Sequence, residues 1–188
     1  MSSKPARVTP LTATDPAAPD LVALLKACRS SALHLEMRDV YAIDGENEEF
    51  SAWKAGHRDD PADPESWWRP WLTLIQEATK RGVEVRRARI VSEPVSEYIH
   101  FEYDGTHTNV YAGERIRWLP RRRASDLRLP GNDFWVFDDE VVVWLYFSGD
   151  GVPDRPRGWS TDPEVITYCR EAFEAVWERG IDHAKYTI

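Results

Sequence analysis

Cysteine is nearly absent: Cys28 and Cys169 are the two in 188 residues. Far apart and each inside an expected helix, they argue against a disulfide framework, read as small buried apolar side chains, and point to a cytoplasmic setting. Long apolar runs are missing too. No stretch approaches the ~18–20 residues of a membrane span, and the opening MSSKPARVTP lacks the apolar centre of a signal peptide, so no membrane partner is expected. Net basic charge is lacking: the formal charge is −8, which disfavours general attraction to nucleic acid, since binding through counterion release needs a basic face. The five histidines, His34, His57, His100, His107 and His183, show no zinc-type spacing, and no Gly-rich phosphate loop, G-x-S-x-G elbow or dinucleotide fingerprint occurs. No metal or other cofactor is expected.

What is present is aromatic. Nine tryptophans and 12% aromatics within a 42% hydrophobic composition predict an ordered core, and the length suits one domain. Residues 1–19, rich in Ser, Thr, Ala and Pro, read as a flexible leader, leaving 20–188 as a single α/β domain.

Along that domain, DLVALLKACRSS places Leu21, Leu24, Leu25 and Cys28 on one stripe behind an Asp20 cap, a short helix. SALHLEMRDVY alternates Leu33, Leu35 and Met37 as a strand, although a continuing helix also fits. EEFSAWKAG is a helical turn ended by Gly56, and HRDDPADPE a loop. Asp63 and Pro64 open a helix carrying Trp67, Trp71, Leu74, Ile75 and Ala78; Pro70 either kinks its first turn or marks its start. Helical spacing assigns Trp67 and Trp71 to the core, leaving Trp68 as the exposed contact candidate. VEVRRARIV is a strand. SEPVSEYIHFEY is a helix capped by Ser92, with DGTHTN a turn or loop after it. RIRWL is a strand, PRRRASDLRLPGN a basic connection, and NDFWVFDDEVVVWLYFSGDG a hairpin turning at Asp138-Asp139-Glu140. Residues 150–161 read as a Pro/Gly-rich loop, and Asp162-Pro163 open a last helix over 162–180. The order predicts an α/β fold with a mixed sheet flanked by helices.

Ten of the 24 Lys and Arg residues lie between Arg81 and Arg128, a basic stretch inside an acidic chain. Arg121, Arg122 and Arg123 suit capture of phosphate or carboxylate. They equally fit a solvated loop whose arginines pair with Glu93, Glu97, Asp126 and Asp133. Asn132 and Asp133 fit turn capping as well as a site, and Asp138-Asp139 read as turn-formers rather than a catalytic pair.

From about residue 64 to 151, the pieces ATKRGVEVRRARI, AGERIRWLP and FWVFDDEVVVWLYFSG resemble a phospholipase D-like half domain. HLEMRDVY, WWRPW, SEPVSEYIHFEY and LPRRRASDLRLPGNDFWVFDD resemble an uncharacterised actinobacterial family encoded beside WhiJ-type helix-turn-helix regulators. The phospholipase D signature H-x-K-x-x-x-x-D is not matched. Aligning its Asp with Asp138 puts Gly131 and Asp133 at the His and Lys positions; aligning it with Asp139 puts Asn132 and Phe134 there; and after His183-Ala184-Lys185 the Asp would fall beyond Ile188. The resemblance therefore implies a non-catalytic regulatory module, partner to a helix-turn-helix regulator and possible homodimer. Its anion or partner site would comprise Arg121, Arg122 and Arg123 with Arg89 or Arg117, together with Asp126, Asn132, Asp133 and Trp68. The alternative is a phosphoester- or nucleotide-processing enzyme built on Arg121, Asp126, Asn132 and Asp133.

Overall fold

The computed structural model describes residues 9–10, 20–43 and 46–188. Its elements are β1 (Thr9–Pro10), α1 (Leu21–Ala27), β2 (Ser31–Glu36), α2 (Glu46–Lys54), α3 (Pro64–Trp67), α4 (Pro70–Lys80), β3 (Glu84–Val91), α5 (Glu97–Tyr111), β4 (Arg115–Pro120), β5 (Asp133–Phe137), β6 (Val141–Phe147), β7 (Pro153–Ser160), α6 (Pro163–Arg179) and β8 (Ile181–Asp182). The strands make one mixed sheet in the order β1-β7-β6-β5-β2-β3-β4-β8. Central β2, β3 and β4 run parallel, as their helical crossovers require, and the flanking pairs are antiparallel. This is the α/β arrangement that the element order predicts. Of the leader expected over 1–19, Thr9–Pro10 pair with β7 and the rest lies outside the described residues.

Strand alternation sorts the side chains onto two faces. Leu33, Leu35, Ala88, Ile90, Phe134 and Val136 meet Cys169, Phe173 and Val176 of α6 on one face. On the other, Ala32, Val85, Phe137 and Val143 meet Leu25 of α1 and Leu72, Ile75 and Ala78 of α4. Both cysteines are buried and unpaired, and burial pushes each thiol up to about 12, leaving them inert at neutral pH. Among the described residues no helix is long and apolar enough to cross a membrane.

Several local expectations change. The tryptophan helix is two pieces, because Pro70 holds Arg69 extended at φ −121°, ψ 155° and restarts the helix. Asp63 makes no side-chain cap bond. The cap of α5 is Ser96, whose hydroxyl accepts from Ile99 N, not Ser92, which is engaged with Asp39 through its amide and hydroxyl. That helix also continues through DGTHTN. Thr106 and Thr108 donate back to the carbonyls of Glu102 and Gly105 at 2.6 and 2.9 Å, so polar side chains can be buried there without loss. The expected loop over 150–161 contains β7, which tolerates Pro153 and Pro156 near the sheet edge.

Candidate ligand-binding cleft

Polar residues interrupt the apolar alternation at the centre of the sheet, all on the face opposite α6. His34 and Glu36 of β2 stand in register with Arg87 and Arg89 of β3, and on the other side His34 pairs with Trp135 of β5. Asp133 lies two residues before Trp135, on the same face. The helices leave this stretch uncovered by apolar packing, and an open cleft of about 1170 Å³ forms over it. Its walls include Trp53 and Glu46 of α2, Trp67 and Trp68, Trp71 of α4, Phe101 and Glu102 of α5, and Leu145 and Phe147 of β6.

The floor is a buried ion network. Arg87 donates to Glu36 Oε1 at 2.8 Å and, through Nε, to Glu114 Oε1 at 2.8 Å. Asn109 donates to the second Glu114 oxygen at 2.7 Å. Arg89 lies 2.8 Å from Glu36 Oε2 and pairs with Glu102. Burial opposes charge on both guanidiniums, but the surrounding glutamates outweigh it and raise their pKa. Two tyrosine–carboxyl pairs bracket the network. Tyr41 donates to Asp133 at 2.5 Å, and Met37 N donates to the other Asp133 oxygen at 2.8 Å. Tyr98 donates to Glu46 at 2.7 Å. Burial pushes Asp133 up to about 7, against the bond from Tyr41 and with help from Glu36. Burial and neighbouring Glu102 raise Glu46 to about 7 as well. Both groups therefore exchange protons near neutral pH, which relieves the excess of carboxyls over arginines.

His34 is buried, and burial together with Arg87 and Arg89 holds its pKa well below the ordinary value, so it is neutral. Its Nδ1 lies 3.4 Å from Glu36, and neither ring nitrogen has a hydrogen-bond partner among the described residues. Also among the described residues, no group of three or more His, Cys, Asp or Glu side chains is placed to hold a metal.

Of the residues singled out from sequence, Arg89, Asp133 and Trp68 line this cleft. Trp68 is half-buried and donates to Thr73 Oγ1 at 2.8 Å. The remaining ones lie elsewhere. Arg117 faces α6, 4.5 Å over the ring of Trp177. Arg121 ties Met37 O, Ile90 O, Ser92 and Asp39 together at the ends of β2 and β3. Arg122 and Arg123 are exposed, Arg123 donating to Arg179 O. Asp126 is bound by Arg179 at 2.6 and 2.9 Å, and Asn132 is exposed. The triplet fails to converge because residues 121–124 form a 3-10 turn, which fans successive side chains apart by about 120°. Its partners also differ from the acids proposed for a solvated loop: Glu93 accepts from Tyr186, and Asp133 from Tyr41. Asp138 and Asp139 are turn residues, at φ 53° and 56°.

Glu36, Arg87, Glu102 and Glu114 escaped the sequence reading. Their one signal was polar residues at alternate positions of apolar strands, His34/Glu36 and Arg87/Arg89; which acid meets which arginine depends on strand register and on α5.

The family described as "Domain of unknown function (DUF6879)" matches residues 19–188. The chain belongs to the DUF6879 family. No curated protein matches this DUF6879 member. Solved structures similar to it include Nuc from Salmonella typhimurium, a phospholipase D family member, at TM-score 0.48 and 13% identity over 89% of this chain and 93% of that one. NucT from Helicobacter pylori reaches 0.47 at 9% identity over 86% and 87%. TrmBL2, an archaeal chromatin protein, reaches 0.45 at 13% identity over 85% of this chain and 47% of its own. These are loose likenesses.

Proposed function

We propose that this DUF6879 protein is a binding module whose cleft takes a ligand or a partner's segment, and that it acts as the regulatory partner of a helix-turn-helix regulator. The supporting observation is the cleft itself: about 1170 Å³, walled by aromatic side chains and floored by a rigid ion network. Mostly apolar concavities with a few fixed polar groups are the usual form of ligand sites. The regulator as partner rests on the family resemblance alone. Calorimetry at two salt concentrations between this chain and the regulator encoded beside it tests the partnership. Saturable heat that is lost in Trp68→Ala supports the cleft as the contact, and no association at either salt concentration overturns the partnership.

A second reading, a phosphoester- or nucleotide-processing enzyme, is favoured by one feature: Asp133 and Glu46, both raised to about 7, face the cleft. Groups that exchange protons near neutral pH cluster at catalytic sites. Turnover of bis(p-nitrophenyl) phosphate that disappears in Asp133→Asn would establish it, and equal background turnover in wild type and variant would dismiss it.

A further inference from the structure

The cleft is not electrostatically uniform. At its network end every arginine has an acid: Arg87 and Arg89 are neutralised in the floor, Arg58 lies 3.1 Å from Asp104, and Arg69 lies 2.8 Å from Glu49. At the opposite end, Arg155 and Arg157 of β7 also line the cleft, and among the described residues neither has an ion pair or hydrogen bond. Both line it although the pairing of β7 with β6 is irregular across residues 155–157, which lie opposite Leu145 alone. Asp20 acts on Arg157 through its field, but its carboxylate is engaged with Ala23 N, capping α1. Half-buried Arg157 is held below its ordinary pKa by burial and then by Arg155. Two like charges held together beside apolar surface, with no counter-ion of their own, are an incomplete arrangement that an anion completes.

The neighbouring surface indicates what the anion carries. Leu21, Trp71 and Leu145 also line the cleft, each half-buried against the core, and Leu145 lies opposite residues 155–157. Trp71 meets Trp135 edge to face at 6.0 Å, leaving a flat apolar wall. β7 stands three strands from β2, so about 15 Å separates the arginines from the buried polar centre, room for an aromatic group between them.

Resting on the reading of the cleft as a ligand site, we propose that Arg155 and Arg157 form an anion subsite and that the ligand is an aromatic anion. Its phosphate or carboxylate lies on the two guanidiniums and its ring on Trp71 and Leu145. The charged group can come from a nucleotide or an aromatic carboxylic acid, and the test separates the two. Calorimetry would compare adenosine 5′-monophosphate with adenosine, and 2-naphthoate with 2-naphthamide, on the full chain. At least one charged probe is expected to bind roughly tenfold or more tightly than its neutral counterpart, as charged hydrogen bonds imply. In Arg155→Ala/Arg157→Ala that preference should vanish while the neutral probe binds as before; in Arg155→Lys/Arg157→Lys part of it should return. Which pair shows the preference identifies phosphate or carboxylate. Charged and neutral probes binding alike, with no change in the double alanine variant and loss in Trp71→Ala, overturn the anion subsite and leave the cleft reading standing. No binding by any of the four overturns both.

Discussion

His34 lies flat against Trp135, ring centroids 4.1 Å apart and planes 15° from parallel. The stack sets a neutral, hydrogen-bond-poor imidazole between an indole and the Arg87 guanidinium, on the floor of the cleft. Its electrostatic environment forbids the imidazolium, because burial and both arginines oppose a further positive charge. The unfolded chain has no such constraint and takes up a proton below about pH 6.5. The His34 contribution to stability is therefore complete above that pH and falls as pH drops through it.

His34→Phe keeps a flat ring on Trp135 and removes two nitrogens without partners. Stability at pH 7.5 should stay within about 1 kcal/mol of wild type, since larger volume offsets the removed polar atoms. At pH 5 the variant should be the more stable. Urea denaturation at both pH values checks this, and a variant that loses as much stability at pH 5 as wild type would show that His34 is not the group responsible.

Asp133 has the opposite linkage. Its carboxyl is raised to about 7 in the folded protein, from an ordinary value near 3.8, so between those values the folded state holds a proton that the unfolded state has released. Stability should fall as pH rises from about 4 to 7 and level off above it. Asp133→Asn keeps an oxygen for Met37 N, turns its NH2 to a Tyr41 hydroxyl that can accept instead of donate, and abolishes that slope, gaining roughly 2–4 kcal/mol over wild type at pH 8. The pH dependence of the urea midpoint between pH 5 and 8 is the measurement.

How far these residues could be seen in the sequence follows from the range of the interactions. Period-two and helical spacing, caps and turn residues are local, so β2, β3, α6 and the Asp138-Asp139 turn could all be read directly. DGTHTN could not, because its threonines are helical through back-bonds and packing rather than propensity. For the cleft, Arg89, Asp133 and Trp68 are visible as single residues, but Arg121 reads with its two neighbours as a cluster, whereas a 3-10 turn points Arg121 to Asp39, Arg122 to solvent and Arg123 to Arg179 O. The pairing of Glu36 with Arg87 and Arg89 spans 51 and 53 positions and depends on strand register; the open arginines of β7 lay in what read as a loop.

Arginines in the floor and arginines in the basic triplet should respond differently to removal. Arg87→Met strands Glu114 as a buried carboxylate without its cation and leaves Glu36 to Arg89 alone, and should cost about 3–5 kcal/mol. Arg122 is exposed, so Arg122→Ala should change stability by no more than about 0.5 kcal/mol. Equal effects in thermal or urea unfolding would contradict the division between structural and solvated arginines.

Asp138 joins two parts of the chain that are distant in sequence. Its carboxylate accepts from the amides of Arg29, Ser30 and Ser31 at 2.9, 2.7 and 3.1 Å and from the Ser30 hydroxyl at 2.8 Å, tying the start of β2 to the β5–β6 turn. Partial burial opposes its charge, but these donors prevail and hold the carboxyl well below the usual carboxylate range. Asp138→Ala loses every one of these bonds and places a Cβ-bearing residue without a local acceptor at φ 53°, at a cost of about 2–4 kcal/mol. Asp138→Asn retains an acceptor and tolerance of that backbone, and should lose about half as much. Because a depressed carboxylate stabilises above its unfolded pKa and loses that contribution as pH falls through the folded one, the gap between wild type and Asp138→Asn should be full at pH 7 and narrow below about pH 4. A gap independent of pH would mean that the bonds act through geometry alone, without the charge.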